Sequence, residues 1–122
     1  MSDAQRRRLQ RNKANGRNAE TFVVDFLIGD DGEYFPNAER RRLAGVNDKG
    51  DISGVPAWTL EVKSGALHIR EWLREAAREA ENAGTINHAV IWKPPGLGAS
   101  SASEFVFMVP LWLGRRVMKE YQ

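Results

Sequence analysis

Residues 57 to 63, Ala-Trp-Thr-Leu-Glu-Val-Lys, do more than any other stretch to limit what this chain can fold into. Tryptophan, threonine, leucine and valine in a short run are strand residues. Glu61 and Lys63 break that run with charge at positions otherwise suited to burial. Side chains alternate along a strand, so Glu61 and Lys63 share one face while Leu60 and Val62 share the other. Asp51, ten residues before Glu61, heads a second apolar segment, Asp51-Ile52-Ser53, and Gly54, Val55 and Pro56 supply a turn between the two. Paired as a hairpin, the segments return Asp51 to the flank of the strand that carries Glu61. Two carboxylates then converge near one lysine.

The rest of the chain predicts an α/β protein. From about residue 15 to 28, Ala19, Phe22, Val23, Phe26 and Leu27 recur at i, i+3, i+4, i+7 and i+8, the stripe of a helix with one face on a core. Gly29-Asp30-Asp31-Gly32 ends it. Residues 33 to 45 read weakly as an interrupted strand and turn. Residues 68 to 84 place Ile69, Trp72, Leu73, Ala76, Ala80 and Ala83 on one side of a second helix, with Gly84 as its carboxy-terminal cap. Strands follow at 88 to 93 and 104 to 110, separated by the glycine- and serine-rich residues 94 to 103, and residues 111 to 121 read as a short, glycine-weakened helix. The order is α-β-β-β-α-β-β with a closing helix, which implies a central mixed β-sheet flanked by helices. No repeat or linker divides it, and 122 residues make one domain that buries roughly two-thirds of its unfolded surface. On the first helix, Glu20 lies on the shoulder of the apolar stripe, about 90° from its centre, where it can face the hairpin.

Composition removes several classes of function. There are no cysteines and only two histidines, His68 and His88, so neither a disulfide framework nor a thiolate zinc site can form. No apolar run reaches the roughly 20 residues of a membrane span, and the amino terminus lacks the apolar core of a secretory signal, so the expected setting is the reducing cytoplasm, with no membrane partner. Charge is unevenly placed. Arg6, Arg7, Arg8, Arg11, Lys13 and Arg17 oppose Asp3 alone within the first 17 residues, a local +5 in a chain of net +2, which leaves −3 for the remainder. Residues 1 to 13 are therefore expected as a basic, flexible arm ahead of a domain spanning 14 to 122. With the second cluster, Arg40, Arg41 and Arg42, this points to phosphate contacts on nucleic acid. Arg70, Arg74 and Arg78 alternate with Glu71, Glu75 and Glu79, which reads as a solvated helix face. Trp58, Trp72, Trp92 and Trp112 suit core or interface positions, and both histidines suit structural ones.

Two or three close carboxylates repel one another unless a cation lies between them. Carboxylate and carbonyl oxygens with water suit magnesium, or manganese in its place. Such an ion polarises a phosphodiester and lowers the pKa of a bound water, and the ammonium of Lys63 positions that water or screens developing negative charge.

Asp51 in "KGDISG", Glu61 and Lys63 in "LEVKSG" and Glu20 in "NGRNAE" together resemble the signature of the PD-(D/E)xK nuclease superfamily. Gly50 stands where the family name has proline. Within that superfamily, the small size and the "KANGRNAE" and "AGVNDKGDISG" stretches are similar to the Holliday junction resolvases of cells and bacteriophages. The resemblance covers about residues 13 to 110. It implies a restriction-endonuclease-like core, catalytic Glu20, Asp51, Glu61 and Lys63, and magnesium held by Asp51, Glu61, the Val62 backbone and Glu20. It also implies a homodimer that makes paired nicks in branched DNA, above all four-way junctions. Two alternatives stand beside it: another nuclease of this superfamily in DNA repair or restriction, and a non-catalytic nucleic-acid-binding protein of the same fold.

Overall fold

The computed structural model describes residues 2–41 and 48–122. Helix α1 (Asp3–Ile28) leads into short strands β1 (Glu39–Arg40) and β2 (Ile52–Ser53), then β3 (Trp58–Ser64). Helix α2 (Ile69–Ala83), strand β4 (Asn87–Lys93), a 3-10 segment (Ala99–Glu104), strand β5 (Val106–Met108) and helix α3 (Leu111–Glu120) complete it. The five strands form one sheet in the order β1-β2-β3-β4-β5. Only β3 and β4 run parallel, in register from Trp58↔Asn87 to Ser64↔Lys93, and the other neighbours are antiparallel. The α/β class and the mixed, helix-flanked sheet expected from the pattern are thus present. So is the element order, the closing helix included.

A parallel pair needs a crossover, which α2 provides. The centre of the sheet is covered on both faces. Ala19, Val23 and Val24 of α1 pack on Leu60, Val62, Ala89 and Ile91 on one side. Trp72 and Ala76 of α2 pack on Val90 on the other. Each buried valine, leucine or isoleucine side chain here contributes about 1.5–3 kcal/mol. Strands buried on both faces normally read as continuous apolar runs. The run at β3 holds Thr59 and Glu61, and the run at β4 holds His88, so each polar group must find a partner inside. Thr59 Oγ1 meets Thr85 Oγ1 at 2.8 Å, and His88 Nδ1 meets the Ile86 carbonyl at 3.0 Å. Glu61 has no such simple answer.

Three expectations shift. Helix α1 begins at Asp3 rather than near residue 15, so the segment expected as a flexible arm continues the helix. A capping box starts it: the Gln5 N–H donates to Ser2 Oγ at 3.1 Å and the Ser2 N–H to Gln5 Oε1 at 2.8 Å. Arginine and glutamine are also good helix formers. Within α1 the buried stripe runs through Ala19, Val23 and Val24, and Phe26 is 53% exposed. In α2, Ile69 lies outside the core at 45% exposure and Glu79 lies inside it at 3%. Gly84 caps α2 in the left-handed conformation at φ 72°.

Candidate functional site

The hairpin forms as its sequence implies. Ile52 pairs with Leu60, and the Asp51 N–H donates to the Leu60 carbonyl at 2.8 Å. Continued by two residues, this register would set Gly50 against Val62. The chain departs instead. Gly50 takes φ 99°, which side chains rarely adopt, and a Cβ there would lie 2.9 Å from the Leu60 carbonyl oxygen. Proline, fixed near −65°, could not hold this position. The departure leaves the Val62 N–H without a strand partner, and Asp51 Oδ2 accepts it at 2.7 Å. Asp51 is thereby fixed beside Glu61, and the two share a side-chain hydrogen bond.

Glu61 and Lys63 face α2, opposite the α1-facing Leu60 and Val62. The helix meets them with acid. Lys63 Nζ pairs with Glu75 Oε2 at 2.9 Å. Oxygens of Asp48, Glu61 and Glu79 lie within 4.8 Å of one another. Glu61 is 2% exposed and Glu79 3%, and Glu79 Oε2 is buried with no hydrogen-bond partner among the described residues. Asn82 Nδ2 donates to the Asp48 carbonyl at 2.9 Å, and the Gly50 N–H donates to Asp48 Oδ1 at 2.9 Å, so α2 anchors the segment that leads into Asp51.

This crowding sets the electrostatics. Burial, the Asp51 charge and hydrogen bond, and the Glu79 charge push the Glu61 carboxyl up to about 11, against the pull of Lys63. Burial, then the Asp48 charge, push Glu79 up to about 7, although its hydrogen bond with Glu61 opposes the rise. Burial raises Asp51 too, while its bonds to Glu61 and the Val62 N–H and the Lys63 charge hold it down. Burial alone would lower Lys63, but the Glu75 hydrogen bond and the surrounding carboxylates carry it above its usual value.

The structure therefore brings together Asp51, Glu61 and Lys63 of the expected set. Glu20 stands on the α1 side, where its Oε2 accepts from Arg40 Nε at 2.8 Å. Burial raises its pKa, Arg40 opposes this, and the charge of Asp51 reaches it. Of the expected nucleic-acid contacts, Arg6, Arg7, Arg8, Arg17 and Arg40 are exposed. Arg41 is half-buried, and its Nε has no partner among the described residues. The side chains of Arg11 and Lys13, and all of Arg42, lie outside the described residues.

Asp48, Glu75 and Glu79 were not expected in the site. The arginine–glutamate alternation on α2 is a solvated face only in part: Glu71, Arg74 and Arg78 are exposed, Glu75 is half-buried against Lys63, and Glu79 is buried. Their signal lay in spacing, since Glu79 follows Trp72 and Ala76 along the apolar stripe at i+7 and i+3. A cleft of about 440 Å³ opens here, lined by Lys63, Glu71, Trp72, Arg74, Glu75 and Arg78. Among the described residues, no helix is long and apolar enough to cross a membrane. Comparison with protein families, curated proteins and solved structures gives no match.

Proposed function

We propose that the protein is a metal-dependent DNA endonuclease of the PD-(D/E)xK kind, acting on branched DNA and above all on four-way junctions as a homodimer. The observation that carries this reading is the convergence of Asp51 and Glu61 beside Lys63, produced by the break in the β2–β3 register. The donors in reach are all hard oxygens, and the uncompensated Glu79 Oε2 fits a cation rather than another polar side chain. Magnesium, or manganese, held by Asp51 and Glu61 would supply Lewis acidity toward a phosphate oxygen and a water of lowered pKa.

The chain's own residues do the rest. The Val62 N–H orients Asp51. Glu75 holds the Lys63 ammonium at the mouth of the cleft, where it can meet a phosphate and screen negative charge developing at phosphorus. Arg74 and Arg78 line the same cleft and offer cations to neighbouring phosphates. Arg6, Arg7, Arg8 and Arg17 extend along α1 as further backbone contacts. Such contacts position a duplex without reading bases, consistent with a substrate known by its shape.

The test compares wild-type protein with Asp51→Asn on a labelled four-way junction in magnesium. Wild type should cut, and the variant should bind the junction with similar affinity but leave it whole, because it loses ligand charge and keeps every arginine. Cleavage by the variant at the wild-type rate would refute the assignment.

A further inference from the structure

Two of the site's carboxylates are already committed to protein donors: Asp51 Oδ2 to the Val62 N–H at 2.7 Å, and Glu20 Oε2 to Arg40 at 2.8 Å. On the α2 side of Glu61, Asp48 Oδ1 accepts the Gly50 N–H and Glu61 bonds to Asp51 and Glu79, yet one carboxylate oxygen is left over. Asp48, Glu61 and Glu79 each bring an oxygen within 4.8 Å of the others. Glu79 is 3% exposed and its Oε2 has no partner among the described residues. A buried acceptor left unmet is costly, and buried polar groups in folded proteins are almost always given a partner. Water brings two hydrogens and no charge to three converging acids. A cation satisfies both the oxygens and the charge, and three oxygen donors without nitrogen or sulfur select a hard one.

We infer that Asp48, Glu61 and Glu79 form a seat for a hard divalent cation, magnesium or manganese, which ties the segment preceding Asp51 to α2. The seat deepens the metal-dependent reading above and rests on it only for the class of ion. Its place in the fold explains its use. Asp48 already receives Asn82 of α2 at its carbonyl and the Gly50 N–H at Oδ1, so an ion bound there fixes both ends of the turn that presents Asp51. Half-buried Asp48 forms the entry side, and buried Glu61 and Glu79 form the floor.

The experiment is a manganese titration by calorimetry, without DNA, on the wild type, Glu79→Gln and Asp48→Asn, with Glu81→Gln as an exposed α2 control of equal charge change. Glu79→Gln and Asp48→Asn should each weaken manganese binding by roughly tenfold or more, the scale on which even supporting groups around a metal act. The control should match the wild type. Thermal unfolding in chelator checks folding: Glu79→Gln removes a buried charge and should melt no lower than the wild type. Wild-type manganese affinity in either variant overturns the seat. If manganese binding depends on Glu79 but the wild type cuts no DNA, the seat stands and the nuclease reading falls. If the wild type cuts and Asp51→Asn does not, yet Glu79→Gln binds manganese normally, the reverse holds.

Discussion

Replacing Glu61 with glutamine should stabilise the metal-free protein, an unusual outcome for a change at a buried, central strand. The magnitude follows from linkage. The Glu61 carboxyl sits at about 11 in the folded chain against 4.5 when unperturbed, so at pH 7 the native state retains a proton that the unfolded state has released. A group raised in this way is without penalty below the unfolded pKa and costs about 1.4 kcal/mol for each pH unit above it, which gives about 3 kcal/mol at pH 7. Glutamine keeps the shape and neutrality of the protonated acid and has no proton to lose on unfolding. In chelator, urea unfolding of Glu61→Gln should therefore report about 3 kcal/mol more stability than the wild type at pH 7, and almost none at pH 4.5. Wild-type stability should fall as pH rises between these values, while the variant's curve should be flatter. Magnesium or manganese at about 1,000 times its Kd should reverse the ranking, since it then adds about 4.1 kcal/mol to whichever protein still binds it. A variant less stable than the wild type in chelator at pH 7, or one with an unchanged pH slope, would refute the reasoning.

Three further outcomes are expected. Lys63→Ala should lower the rate of junction cleavage by about 100-fold or more while retaining affinity, as measured by single-turnover cutting and mobility shift. Replacing Arg6, Arg7 and Arg8 with alanine keeps a good helix former, and should weaken DNA binding and flatten the plot of log K against log salt by about 0.9 for each phosphate no longer neutralised; an unchanged slope would show that these arginines do not touch DNA. Gly50→Ala, strained at φ 99° and with its Cβ 2.9 Å from the Leu60 carbonyl oxygen, should cost about 1–3 kcal/mol in urea unfolding and lower cleavage through displacement of Asp51.

Much of the arrangement was legible where local pattern and tertiary context agree. Alternation placed Glu61 and Lys63 together on one face of β3, and the Gly54-Val55-Pro56 turn brought Asp51 back to them. Glycine at 50, a departure from the nuclease signature, is explained by the backbone conformation that frees the Val62 N–H. The acids of α2 were hidden by their own regularity. Arginine and glutamate alternate along it as on a solvated helix, and only the packing of Trp72 and Ala76 on the sheet turns Glu79 inward and Glu75 toward Lys63. Asp48 was hidden differently, because its place depends on Asn82, 34 positions later. In α1 the apolar stripe was expected to run through Phe26 and did not include Val24. The sheet surface of Leu60, Val62, Ala89 and Ile91 chose Val24.

In the proposed function, a carboxylate cluster around Glu61 and Lys63 serves cation-dependent cleavage of branched DNA. Its most direct test is a time course with an end-labelled four-way junction and a linear duplex of the same sequence, each with magnesium and with chelator. Paired nicks in the junction, slower cutting of the duplex and no cutting in chelator are predicted. An intact junction in magnesium and manganese, with protein that binds it, would contradict the claim.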